Sequence, residues 1–267
     1  MSEIKLIALD LDGTLLCDDG SVSERNVRAV KTAVSHGIHV IIATGKTRGS
    51  ALKVIAELGL TTPGVFTQGL VICNADGSVR YQEALDRETA VQLIQFAQEN
   101  NLPHSAYSGA RIFSPREDYY QRLLQEKYHE PPLVIVGSLL ERIDELGINK
   151  FMVSDEVSND ATRRRLTDLV GQRAAVTQAV AEFIEVLPPG ASKGRGVKML
   201  LDDLGILPAE MLAVGDGEND LGMLQMAGVG VAMGNASPSL KAIADYVTSD
   251  HNHSGVAEAI EKFAFGA

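Results

Sequence analysis

Cysteine is scarce in this chain of 267 residues. Cys17 and Cys73 match no metal-ligand spacing and build no disulfide framework, which argues for a reducing, cytoplasmic setting. Basic residues are outnumbered too. The formal net charge is −11 and the sequence pI about 5.0, so the chain shows no basic footprint for nucleic acid or an anionic membrane. No apolar run reaches the ~20 residues that span a bilayer. The opening Met-Ser-Glu-Ile-Lys shows no signal-peptide pattern ahead of the first apolar stretch. Internal repeats and low-complexity segments are absent as well. What remains is a soluble intracellular protein, 45% hydrophobic and 22% charged, with room for one or two domains and a real core.

The apolar run from Ile4 to Leu9 has the length of a strand, and Gly13 ends it in a turn. A continuously hydrophobic strand belongs to a parallel sheet covered on both faces, and such sheets bind ligands beyond their carboxyl ends. Here that end reads Asp10-Leu11-Asp12-Gly13-Thr14. Residues two apart on a strand point the same way, so Asp10 and Asp12 would crowd one spot unless the turn splays them. Two like charges that close need a cation, a shared proton or strong hydrogen bonds. An ordinary Asp-Gly turn with a capping aspartate fits the stretch equally well.

Ser23 caps an expected helix from Glu24 to His36, and the apolar run Ile38–Ala43 then leads to Thr44-Gly45-Lys46-Thr47. A helix from Arg48 to Leu58 and a strand from Val65 to Cys73 follow. This alternation predicts a right-handed parallel α/β unit. From Ala84 the rhythm changes. Strand candidates at 105–107, 111–114, 150–153, 174–177 and 183–187 do not alternate one for one with helices at 86–98, 117–127 and 159–170, which suits an α+β insert. With 11 Lys/Arg against 16 Asp/Glu, residues 84–186 form no basic arm, and Arg163-Arg164-Arg165 reads as a solvated helix face. After Pro188-Pro189-Gly190 the α/β pattern resumes. The expected elements are a helix from Gly194 to Leu204, a buried strand at Met211–Val214, a helix at 221–226, a strand at 229–233 and a last helix at 256–263. The expected division is a core of 1–83 with 187–267 and an insert of 84–186.

Folded as one sheet, the chain brings four places together: the strand ends at Asp10, Thr44 and Asp216, and the helix start at Lys193. Asp216, Glu218 and Asp220 raise the acids there to five, a repulsion that calls for a hard cation. Oxygen donors without His or Cys suit Mg²⁺ far better than zinc. An acidic, glycine-rich helix cap remains an equally available reading of 216–220. Thr44-Gly45 stands where a hydroxyl and amides can cradle a phosphate. Gly45-Lys46-Thr47 imitates the end of a nucleotide-binding P-loop, but the first glycine of that motif falls on Val40, so the match fails. His251 and His253 read as a polar surface loop.

Asp-Leu-Asp-Gly-Thr-Leu, Ala-Thr-Gly, Ser-Lys-Gly and Gly-Asp-Gly-Glu-Asn-Asp, in that order, resemble the four motifs of the haloacid dehalogenase superfamily of phosphohydrolases. The insert and the tail Ser254-Gly255-Val256-Ala257 resemble its Cof-type branch, subclass IIB. The resemblance implies a Rossmann-like parallel-sheet core with an inserted α+β cap. It implies Asp10 as the nucleophile that becomes an aspartyl-phosphate, and Asp12 as the acid and base. Thr44, Gly45, Lys193 and Asn219 would hold the phosphoryl oxygens. Mg²⁺ would bind Asp10, the Asp12 carbonyl and Asp216, with Asp220 helping directly or through water. The implied activity is a Mg²⁺-dependent phosphatase for a small phosphorylated metabolite, foremost a sugar phosphate, without nucleic acid or membrane partners. A phosphomutase of the same fold and a non-catalytic phospholigand-binding module are the alternatives.

Two departures stand out. Many relatives have arginine where Lys46 follows Thr-Gly, with Arg48 here two places on, so Lys46 and Arg48 are expected at the substrate. A lysine cannot reproduce the bidentate fork of arginine. Relatives also often show Asn-Gly after the third strand, where this chain has Gln68-Gly69.

Overall fold

A computed structural model describes residues 3–155, 159–180 and 182–266. Residues 1, 2 and 267 of the expected core, and 156–158 and 181 of the expected insert, lie outside that range. The chain divides into two compact units, Met1–Arg80 with Ser192–Ala267, and Tyr81–Ala191.

The first segment runs β1 (Leu6–Leu9), α1 (Glu24–Ser35), β2 (His39–Ile42), α2 (Arg48–Leu58), β3 (Gly64–Phe66), β4 (Val71–Cys73) and β5 (Val79–Gln82). The insert contains α3 (Arg87–Glu99), β6 (His104–Ser108), β7 (Arg111–Ser114), α4 (Tyr119–Glu126) and β8 (Val134–Ile135). It continues with β9 (Lys150–Val153), α5 (Asn159–Val170), β10 (Ala175–Val180) and β11 (Phe183–Leu187). The return segment holds α6 (Lys193–Leu204), β12 (Met211–Gly215), α7 (Leu221–Met226), β13 (Val229–Ala232), α8 (Pro238–Ile243), β14 (Tyr246–Val247) and α9 (Gly255–Ala264).

In the first unit the order β14-β13-β12-β1-β2 makes a wholly parallel sheet. All of β1 and β12 is buried, as expected for central strands whose two faces both need cover. Register then places the chemistry. Leu9 pairs with Val214 and with Ile42, so Asp10, Ala43 and Gly215 emerge together at one sheet edge. Ser23 caps α1 by accepting from the Asn26 amide, and buried Asn26 in turn accepts from the Ala257 amide of α9. Among the described residues no helix is long and apolar enough to cross a membrane.

The expected single strand from Val65 to Cys73 is two. β3 and β4 pair antiparallel around a kinked turn at Thr67–Gly69, because these three residues adopt left-handed backbone angles that no strand accommodates.

The second unit is a six-stranded sheet, β10-β11-β9-β6-β7-β8, antiparallel apart from the β7–β8 pair. Period-two alternation along β9 splits its side chains. Phe151 and Val153 join Leu93 and Ile94 of α3 and Leu166 of α5, while Met152 joins Tyr107, Ile112, Phe183 and Leu124 of α4. The expected insert boundary at 186 cuts this sheet too early, since Leu187 still pairs with Ala175 of β10. The Arg163–Arg165 run is exposed, as a solvated helix face should be.

Candidate active site

β1 delivers Asp10 to the sheet edge, where its amide donates to the Val214 carbonyl (3.1 Å). Ser192 caps α6 and starts that helix at Lys193, whose stem is fully buried. Lys193 Nζ lies 2.6 Å from Asp10 Oδ1 and 2.8 Å from Asp220 Oδ1, with the three side chains 2%, 6% and 0% exposed. The other Asp220 oxygen accepts from the amides of Asp216 and Gly217, both at 3.0 Å. That carboxylate therefore closes the 216–220 turn and anchors the lysine with both of its oxygens engaged. Thr14 Oγ1 donates to Asp216 Oδ1 (3.1 Å) and thereby ties the two acidic loops together.

Glycines make this crowding feasible. A Cβ on Gly13, which holds φ +74°, would sit 2.4 Å from Asp216 Oδ2, and one on Gly215 would meet the Asp220 carboxylate at 2.5 Å.

Burial pushes the Asp10 carboxyl well above the usual aspartate range, with the Asp220 and Asp216 charges adding to the rise and Lys193 opposing it. Asp216 is raised for the same reasons, burial first and then Asp220. For Lys193 burial alone would lower the value, yet the adjoining Asp10 and Asp220 carboxylates outweigh it and hold the ammonium above its ordinary range.

One oxygen from each of Asp10, Asp216 and Asp220 lies within 4.8 Å of the others. Three acids against a single ammonium leave an excess of negative charge in a mostly buried place. An all-oxygen, anionic set of this kind fits a hard divalent cation. Asp10 and Asp216 are the residues that would hold one, with Asp220 acting through Lys193 and the loop.

Asp12 does not join this cluster. The strand ends at Leu9 and the chain turns at Gly13, so the Asp12 carboxylate, 52% exposed, faces Lys46 Nζ at 2.6 Å. Lys46 is thus spent on Asp12. The Arg48 guanidinium donates to the Ala75 carbonyl (2.7 Å) and packs on the Gly77 turn. Thr44 is buried and its hydroxyl accepts from the Lys46 amide (3.2 Å). Asn219 is exposed, and its Nδ2 donates to Gln68 Oε1 (3.3 Å).

Two contributors, Thr14 and Asn235, are missing from the sequence reading, and Gln68 enters it only as a departure from the relatives' pattern. Asn235 Nδ2 donates to the Gly13 carbonyl (2.8 Å) and more weakly to Asp216 Oδ2 (3.4 Å), while its Oδ1 accepts from the His251 amide. Thr14 could have been found, since it ends the first acidic motif. Asn235 carries no spacing signal, because only β13 and its turn bring it to the site. The His251 and His253 side chains pair with Asp18 and Asp250.

A family model described as haloacid dehalogenase-like hydrolase matches residues 7–260. The chloroplastic endoribonuclease YBEY of Arabidopsis thaliana is 38% identical over 97% of this chain, which covers 46% of that protein. The chain thus spans about half the length of that relative. The 5-amino-6-(5-phospho-D-ribitylamino)uracil phosphatase YitU of Bacillus subtilis is 30% identical, with 97% of each chain covered. A haloacid dehalogenase-like hydrolase from Bacteroides thetaiotaomicron has a solved structure with a TM-score of 0.89 and 30% identity. The match covers 97% of this chain and 99% of that one.

Proposed function

The chain belongs to the haloacid dehalogenase-like hydrolase family and is an enzyme of its phosphatase class, and we propose that it hydrolyses a small phosphorylated metabolite through an aspartyl-phosphate. The observation that carries the reading is the buried Asp10, held at 2.6 Å by Lys193 and set among two further carboxylates. An aspartate placed there without a reaction to perform would cost stability and return nothing.

In the proposed chemistry an Asp10 oxygen attacks phosphorus, forming a P–O bond as the bond to the leaving oxygen breaks. Asp12 gives its proton to that leaving oxygen. Water then attacks the same phosphorus, Asp12 takes the water's proton, and the bond to Asp10 breaks to release inorganic phosphate. Thr44, Gly45, Lys193 and Asn219 hold the equatorial oxygens, where transition-state charge spreads. Mg²⁺, bound by Asp10, the Asp12 carbonyl and Asp216, would neutralise charge that otherwise keeps a carboxylate away from a phosphate.

A sugar phosphate is the proposed substrate class. YitU, by its name, acts on a phosphate carried by a ribityl chain, which supports a phosphorylated polyol-like group. The unit Tyr81–Ala191 is proposed as the cap that selects the substrate. The name of the Arabidopsis relative does not transfer, because more than half of that protein lies outside the match. Cys17 and Cys73 are unpaired, in keeping with a cytoplasmic location.

The test is phosphate release from a panel of phosphorylated sugars, nucleotides and an aryl phosphate, with Mg²⁺ and with chelator. Release that requires the metal and ranks sugar phosphates first is the expected result. Silence across the panel from folded protein sinks the phosphatase reading.

A further inference from the structure

The turn between β3 and β4 is strained. Thr67, Gln68 and Gly69 hold φ of 51°, 57° and 87°, three left-handed residues in succession, two of them not glycine. Thr67 is β-branched, for which positive φ is a genuine outlier, and each such residue costs about 1 kcal/mol or more. Two short antiparallel strands can be joined more cheaply by Asn-Gly or Gly-rich turns. Strain that persists is held by what surrounds it.

What surrounds it here is the proposed phosphate cradle. The Thr67 amide donates to the Lys46 carbonyl (2.9 Å) and the Gln68 amide to the Thr44 carbonyl (3.3 Å), stitching the turn to the Thr44–Lys46 loop. Gly69 lies so close to the start of α6 that a Cβ there would sit 2.0 Å from the Ser192 carbonyl oxygen, next to Lys193. The Gln68 side chain is almost wholly buried. Its Oε1 accepts from Asn219 Nδ2 at 3.3 Å, and its Nε2 lies over the α-carbon of Gly45, where a Cβ would be 2.7 Å away. The left-handed angles aim one carboxamide at two separate loops. Its oxygen end is committed to Asn219, which turns its amino end toward Thr44-Gly45.

We propose that Gln68 is a positioning residue for phosphoryl transfer, clamping Asn219 against the Thr44-Gly45 loop so that both loops meet the phosphoryl oxygens in one geometry. The assignment rests on the phosphatase reading above. It also accounts for glycine at position 45, since any side chain there would displace the carboxamide.

The test compares wild type with Gln68→Gly, Gln68→Glu, Asn219→Ala and the Gln68→Gly/Asn219→Ala double variant. The measurements are thermal stability, calorimetric binding of inorganic phosphate with Mg²⁺ present, and kcat and KM for the best panel substrate. Gln68→Gly relieves one left-handed strain while gaining chain entropy, so its Tm stays near wild type. Its phosphate binding weakens by about 10- to 100-fold, the scale of one hydrogen bond to a charged group, and KM rises. Because Gln68 acts through Asn219, the double variant is expected to be little worse than either single one.

Phosphate affinity within about twofold of wild type in folded Gln68→Gly, or additive losses in the double variant, overturns the assignment. Should Gln68→Gly fail to fold, Gln68→Glu decides. It keeps the size and the acceptor for Asn219 but turns a negative charge toward Gly45, so weakened phosphate binding supports the proposal and unchanged binding overturns it. A wild type that neither binds nor releases phosphate overturns the phosphatase reading, and this assignment with it. An active wild type with unaffected variants overturns Gln68 alone.

Discussion

Lys193→Met isolates the electrostatics of the site. Methionine keeps most of the stem length and apolar volume of lysine and removes only the ammonium. That ammonium is 2.6 Å from Asp10 and 2.8 Å from Asp220 in a place almost closed to water. Removing one partner of a buried ion pair costs about 3–5 kcal/mol, because the other is left as an uncompensated charge. Here two carboxylates lose their partner, so the upper half of that range is expected. For a unit of this size each kcal/mol moves the melting temperature by about 2–4 °C, giving a fall of roughly 8–20 °C near neutral pH.

The pH dependence has a definite sign. Asp10 is already raised by burial with the lysine present, and loses its main opposing influence without it. A carboxylate raised in the folded state binds its proton there before it does so in the unfolded chain. Stability is then gained as pH falls through the folded value, and is fully present below the unfolded value of about 3.9. The deficit of the variant is therefore widest near pH 7 and narrows on acidification. Urea unfolding followed by circular dichroism, between pH 5 and 8 with chelator so that no cation replaces the ammonium, measures both effects. An unchanged midpoint at pH 7.5, or a deficit that widens in acid, refutes the reasoning.

Asp10→Asn is expected to abolish nearly all phosphate release from the panel while leaving thermal stability at or above wild type; ordinary turnover would remove Asp10 as nucleophile. Gly13→Ala forces a Cβ to 2.4 Å from Asp216 Oδ2 at a φ of +74°, so a loss of at least 1–2 kcal/mol by denaturant titration is expected, roughly the left-handed penalty alone. A fully stable Gly13→Ala would mean that the turn relaxes freely. Asn235→Ala takes away the donor shared by the Gly13 carbonyl and Asp216, and should raise the Mg²⁺ concentration for half-maximal activity by about 10- to 100-fold. An unaltered Mg²⁺ requirement would confine Asn235 to holding the His251 loop.

The central strands were legible because a parallel strand buried on both faces must be an unbroken apolar run, as at Leu6–Leu9 and Met211–Val214. The same rule misled at Val65–Cys73, where apolar residues stand on both sides of a chain reversal at Thr67-Gln68-Gly69. No proline marks it, and two of its left-handed residues are Thr and Gln, types that carry no turn signal. β8, α8 and β14 span two, six and two residues, too few for periodicity to show. The acidic cluster was legible in part: a helix cap explained 216–220 equally well, and of the five acids the described structure gathers Asp10, Asp216 and Asp220. Direction was harder. Period-two reasoning puts Asp10 and Asp12 on one side, but it applies only inside a strand, and this strand stops one residue before Asp10.

The two departures from the relatives' pattern prove to share a property. Lys46 and Gln68 both direct their functional atoms to partners within the core unit, Lys46 to Asp12 and Gln68 to Asn219. An ammonium is a compact point charge and can serve a single carboxylate oxygen, where a guanidinium fork would seek two acceptors and reach farther. Lysine at 46 thus holds the proposed acid and base and leaves the fork's second contact unmade. Arg48 does not supply it, because its guanidinium is bound at the Ala75 turn. Within the Thr44–Arg48 stretch, then, both cations expected to read the substrate are committed to the protein itself. On the proposed reading, selectivity would then come from side chains outside that stretch, to be sought first in the proposed cap, Tyr81–Ala191.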